Sequence, residues 1–107
     1  MDTFEFDTLT AEQQASGKLY LEFLRVPSLS VGVYNLPAGS ADPQQPHNED
    51  EVYHVVNGRG MIRAGEEDRP VEPGTVVFVG AHVPHHFHTI TADLQLLVFF
   101  APPEGSR

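Results

Sequence analysis

The chain has 107 residues, no cysteine and no tryptophan, and six Lys and Arg against fifteen Asp and Glu give it a formal net charge of -9. That size suits one domain with one modest hydrophobic core. The charge works against nucleic acid and anionic membrane surfaces as partners, and the missing cysteines exclude disulfides and thiolate metal ligands. A soluble, cytoplasmic protein that handles a small molecule is the expectation. The longest apolar run, LLVFFA at 96–101, is too short to span a bilayer, and MDTFEFDT carries no basic or apolar leader region.

In chain order, TAEQQASG at 10–17 predicts a short helix, with Thr10 as the N-cap candidate and Gly17 as the terminator. The rest reads as short β-type runs: KLYLEFLRV, SVGVYNL, EVYHVVN, GMIRAG, TVVFVG, HFHTI and LQLLVFF. Between them lie the turn segments PAGSADPQQP, GEEDRP and EPG. That spacing predicts an all-β sandwich or barrel, with residues 1–30 as a helix and strand covering a barrel built from residues 31–107.

The segment QQPHNEDEVYHVVNG at 44–58 opens as a polar, proline-broken loop and ends as a hydrophobic strand. Bringing His47, Glu49, Asp50 and Glu51 to a strand with a buried face is costly unless something pairs or coordinates them, and a metal ion would do so. Because strand side chains alternate, Glu51, Tyr53 and Val55 share one face while Val52, His54 and Val56 share the other. In HVPHHFHT, His85, Phe87 and Thr89 share a face opposite to His86 and His88.

Two motifs resemble those of the cupin superfamily in its small single-domain form. The first cupin motif runs Gly, five residues, His-x-His, three or four residues, Glu, six residues, Gly. Here His47, Glu51 and Gly58 stand at the required spacing, with Gln45 in the place of the first histidine and Gly39 upstream. The second motif, Gly, five residues, Pro-x-Gly, two residues, His, three residues, Asn, is similar to GTVVFVGAHVPHHFHT. Gly74 and His85 are in place there, while Gly80, His82 and Thr89 stand for the Pro, Gly and Asn. The resemblance spans roughly residues 31–101 and implies a double-stranded β-helix, a jelly-roll barrel with a metal near its centre.

Position by position, the resemblance makes His47, Glu51 and His85 metal ligands. Gln45 is the fourth by spacing, with Gln44 as the alternative if Pro46 bends the loop. Two imidazoles and one carboxylate are also the donor set of non-haem iron oxygenases with open coordination positions. The cofactor expected is one divalent transition metal, with iron, manganese, nickel, copper and zinc all compatible. A small-molecule dioxygenase follows if the metal is redox-active, and a metal-dependent isomerase or lyase if it is not. A non-enzymatic module that binds a small ligand stands as the alternative from another class. Tyr53 and Phe87, on the inward parity, and Arg63 as an anion anchor are the pocket candidates. Each also has a plainer reading, as core residues and as an ion-paired arginine. His82, His86 and His88 read as rim or outer-face residues.

Finally, LQLLVFF is apolar on both parities, with Leu94, Leu96, Val98 and Phe100 on one and Leu97 and Phe99 on the other. A barrel wall facing water should alternate, so its outer face needs a cover. A homodimer is the expected cover. The alternative is an N-terminal segment that folds back over its own barrel.

Overall fold

In the computed structural model, which describes all 107 residues, one helix precedes six strands. These are α1 (Phe6–Ser16), β1 (Tyr20–Val26), β2 (Leu29–Leu36), β3 (Asp50–Ala64), β4 (Glu67–Val71), β5 (Val76–Val79) and β6 (His85–Ala101). All pairings are antiparallel, in the order β1-β2-β6-β3-β4, with β5 pairing the first half of β3 on the side away from β6. No helix is long and apolar enough to cross a membrane.

Two long strands organise the barrel. The first half of β3 lies between β5 and the second half of β6, and its second half lies between β4 and the first half of β6. The register between β3 and β6 shifts repeatedly from Val55 to Met61, and such irregularities bend a strand and raise its twist. Gly58 sits at this bend with φ +98, and a Cβ there would stand 2.2 Å from the Asp93 carbonyl oxygen. Only glycine permits that approach. The glycine therefore kinks a continuous strand, and EVYHVVN and GMIRAG form one element where the sequence suggested two. HFHTI and LQLLVFF likewise merge into β6.

The acidic segment GEEDRP, expected as a turn, contributes most of β4. Proline is tolerated there because β4 pairs only with β3 and is an edge strand. The helix starts four residues earlier than TAEQQASG suggests. Its N-cap is Glu5, without a side-chain cap bond, and Thr10 lies buried within it. Packing sets that start: Phe4 stacks on Phe23 at 4.9 Å, and Leu9 is buried. Gly17 ends the helix at φ +72 as expected. Gln13 ties the helix down, donating to the Lys18 and Leu19 carbonyls while its own oxygen accepts from Asn35.

The parities of β3 hold: Glu51, Tyr53 and Val55 are buried, whereas Val52, His54 and Val56 are half-buried. His85 and Phe87 also point inward, but Thr89 does not. Thr89 has φ +49 and is exposed, and Ile90 takes the inward place. His82 has φ +68. These two are the only non-glycine residues at positive φ, and they stand where the second cupin motif carries Gly and Asn, residues that tolerate that conformation.

The interior is a single cluster that includes Leu36, Val55, Ile62, Phe87, Leu94 and Leu96. On the outer face, α1 and the residues before it cover part of the sheet, placing Phe4, Phe6 and Leu9 around Phe23, Val31 and Leu97. Val76 and Phe78 of β5 lie beyond that cover, each 66% exposed.

Candidate metal centre

His47, Glu51 and His85 meet at one end of the barrel. Glu51 projects inward from the start of β3, His85 from the start of β6, and His47 from the loop before β3. One ligand atom from each lies within 4.8 Å of the others, close to the span of ligands held about 2.0–2.2 Å from a shared ion. The turn at Ala81 and His82 holds the loop and the start of β3. The His47 carbonyl accepts from the His82 N–H at 2.7 Å, and Asp50 accepts from the Ala81 N–H at 2.9 Å. The His47 ring packs edge-on against Phe100 at 4.8 Å.

The chemistry of the donors can be read atom by atom. His85 Nδ1 is 2.9 Å from the Val83 carbonyl, which can only accept, so Nδ1 carries the hydrogen. Nε2 is left to face Glu51 Oε1 at 2.7 Å and the Tyr53 hydroxyl at 2.9 Å. Burial pulls the imidazolium down. The hydrogen bond to Glu51, helped by the Val83 carbonyl, more than offsets this and raises the His85 pKa above its ordinary 6.5. The other Glu51 oxygen, Oε2, is buried with no hydrogen-bond partner. A buried carboxylate oxygen without a partner is expensive. Together with an imidazole whose Nε2 faces the same carboxylate, it is the arrangement a divalent metal would satisfy by taking the place of the Nε2 proton. The three residues fit the ion.

Spacing ranks Gln45 ahead of Gln44, and the structure turns Gln44 to the cavity. Gln45 is exposed and does not line the cavity at the site, whereas Gln44 does. Gln44 Oε1 accepts from the Tyr53 hydroxyl at 2.6 Å, while its amide nitrogen donates to Asp42. Asp42 is in turn held by the Tyr34 hydroxyl and by the Phe87 N–H at 2.9 Å. The loop's attachment to β2 and β6 through Asp42 thus turns Gln44 inward, and motif spacing carries no information about that attachment.

The cavity encloses about 180 Å³. Tyr20, Tyr34 and Tyr53 contribute aromatic and hydroxyl surface, Val98 and Phe100 an apolar wall, and Glu104 a second carboxylate. Burial raises all three tyrosine pKa values, seconded at Tyr34 by its bond to Asp42 and at Tyr20 and Tyr53 by the charges of Glu104 and Glu51 respectively. Their hydroxyls therefore stay protonated near neutral pH. Burial also lifts the Glu104 carboxyl, against the opposing pull of His47.

Of the pocket candidates, Tyr53 lines the cavity and Phe87 packs edge-on against it at 4.9 Å as core. Arg63 does neither. It lies on the exposed side of β3, paired with Asp68 at 3.0 Å, because its parity there points to solvent. His82 and His86 are exposed, and His88 binds Asp68 at the surface. Tyr20, Tyr34, Asp42 and Glu104 are site residues that the sequence reading missed. The aromatic spacing of β1 and β2 could have flagged the tyrosines, which are register partners. Nothing in the sequence flags Glu104.

A family model described as the cupin domain matches residues 32–100. An uncharacterised protein of Streptomyces coelicolor is 51% identical over 105 residues, covering 98% of this chain and all of the relative. Among solved structures, a protein of Thermus thermophilus superposes with a TM-score of 0.78 at 24% identity, covering 96% of this chain and 99% of its own. A Ralstonia eutropha protein proposed to be a mannose-6-phosphate isomerase superposes at 0.67 with 21% identity, over 77% and 82% of the two chains.

Proposed function

The chain belongs to the cupin family, and from that premise we propose that it is a metal-dependent enzyme of dioxygenase type acting on a small uncharged molecule. The observation that carries this is the buried Glu51 carboxylate. One oxygen faces His85 Nε2 and the other has no partner, with His47 alongside and a cavity beyond. His47, Glu51 and His85 would hold the ion, and Gln44 Oε1 stands near enough to His85, through Tyr53, to be the fourth candidate. When bound, a redox-active metal in such a set supplies oxygenase chemistry, and a redox-inert one acts as a Lewis acid.

The chain's own residues set the substrate. The cavity is small beside the ~300–1,000 Å³ of drug-sized sites, and none of the six Lys and Arg side chains lines it. Tyr20, whose buried hydroxyl has no partner, offers a donor to an oxygen-bearing ligand, while Val98 and Phe100 form one apolar wall. These features support a compact neutral molecule with carbonyl or hydroxyl oxygens. A phosphorylated sugar would lack a cationic partner here.

Glu104 at the cavity wall favours a second reading, an isomerase or lyase in which a carboxylate moves a proton. Oxygen-electrode measurements on the iron-loaded protein with small neutral enols and diketones separate the two. Metal-dependent uptake that Glu51→Gln abolishes supports the dioxygenase. Solvent deuterium exchange at substrate carbon with no oxygen uptake supports the second reading. A protein that binds these ligands without turnover is a binding module, and the enzymatic proposal fails.

We also propose that two copies pair through the outer face, because Val76 and Phe78 lie exposed beyond the cover of the N-terminal helix. Light scattering should give about twice 11.8 kDa. A mass of 11.8 kDa would contradict the pairing.

A further inference from the structure

The last six residues, 102–107, lie beyond the segment that matches the cupin family, which ends at residue 100. This segment is tied to the rest of the fold at several points. Glu49, only 2% exposed, accepts the Gly105 N–H on one oxygen at 3.2 Å and the Arg107 N–H on the other at 3.3 Å. The fully buried Ser30 hydroxyl accepts the Glu104 N–H at 3.0 Å, and the Asn48 amide donates to the Arg107 carbonyl at 3.0 Å. Asn48 and Glu49 directly follow His47, so the tail is clasped by the same loop that presents the histidine.

The clasp delivers Glu104 to the cavity wall, with Oε2 3.7 Å from His47 Nδ1. The two histidines of the site then differ in one respect. His85 has its orienting partner, the Val83 carbonyl, on Nδ1. His47 has no hydrogen bond on either ring nitrogen, and Glu104 is the one acceptor placed against it. A metal-bound imidazole almost always donates its second N–H to a carboxylate or carbonyl, which sets both its tautomer and its angle.

We propose that Glu104 is the positioning residue for His47: the clasped tail holds a carboxylate against Nδ1, so that Nε2 is the nitrogen offered to the metal. This rests on the metal-site reading above. Closing 3.7 Å to a hydrogen bond of about 2.7–2.9 Å needs only a side-chain adjustment, because the tail is anchored through backbone N–H groups.

Glu104→Ala in the full chain removes the carboxylate and leaves the clasp intact, because Glu49 and Ser30 bind backbone. Zinc titration by calorimetry and the ¹⁵N shifts of the His47 ring, in the wild type, Glu104→Ala and Glu104→Gln, form the test. Glu104→Ala should weaken zinc binding about 10- to 100-fold and erase a fixed Nδ1–H, Nε2-bound signature at His47. Glu104→Gln, which keeps a carbonyl acceptor, should recover much of both. Wild-type affinity and an unchanged His47 spectrum in Glu104→Ala would overturn the proposal while leaving the metal site standing. A wild-type protein that takes up no zinc at His47, Glu51 and His85 would overturn the metal reading and this proposal together.

Discussion

The two ends of the barrel are built by the same two strands and differ in almost everything else. At one end, Leu36, Val55, Ile90 and Leu94 close a dry interior. At the other, β3 and β6 turn Glu51, Tyr53 and His85 inward, and loops bring His47, Gln44 and Glu104 to meet them. The bend at Gly58 lies at the apolar end, so that both halves of β3 run from it toward the site. Stability is thus concentrated where side chains are apolar and packed, and the polar end carries a carboxylate that is only partly satisfied, an arrangement that trades stability for chemistry.

If the division is real, substitutions at the two ends should separate. Leu94→Ala, at a fully buried position of the dry end, should cost about 2–5 kcal/mol in urea unfolding of the metal-free protein. Its zinc affinity, measured while folded, should stay at the wild-type value. Glu51→Gln should do the reverse in kind. Partners that only orient a ligand are worth about 10- to 100-fold in metal affinity, so loss of a direct ligand should exceed about 100-fold by calorimetry. A variant at either end that shifted both properties equally would erase the distinction.

Acidity sharpens the comparison further, with the smallest effect. The folded pKa of His85 is raised above 6.5 by its bond to Glu51. In the metal-free protein this pair therefore contributes stability that is fully present below about pH 6.5 and is lost as pH rises through the folded value. Metal requires the neutral imidazole, so zinc affinity should run the other way, weakening as pH falls through that same value. Urea unfolding of chelator-treated protein and zinc titration across pH 5–9 should show these opposite slopes. In Leu94→Ala both pH dependences should survive, because no titrating side chain is buried at the dry end.

Much of this was legible in the sequence because strand parity is a local property. The alternation of Glu51, Tyr53 and Val55 put Glu51 on the inward face, and the resemblance of the two motifs to those of cupins implied that His47 and His85 join it. The question raised by Glu49, Asp50 and Glu51 at the start of one strand now has three answers. Glu49 clasps the tail, Asp50 caps the Ala81 N–H, and Glu51 faces the site. Only the third was within reach of pattern reading. The choice of Gln44 over Gln45 depends on Asp42 reaching Tyr34 and Phe87, contacts across the fold that neighbouring residues do not encode. β4 was hidden in GEEDRP because an edge strand tolerates proline and charge, and Thr89 left its expected face because one positive φ reverses the phase of everything after it.

The central claim is that one ion binds His47, Glu51 and His85 together. Anomalous scattering at the absorption edge of the bound metal, measured on crystals of the loaded protein, tests it most directly. The account expects a single strong peak about 2.0–2.2 Å from a nitrogen of each histidine and from a Glu51 oxygen. A strong peak among the surface histidines His82, His86 and His88, with none between the three buried ligands, would contradict it.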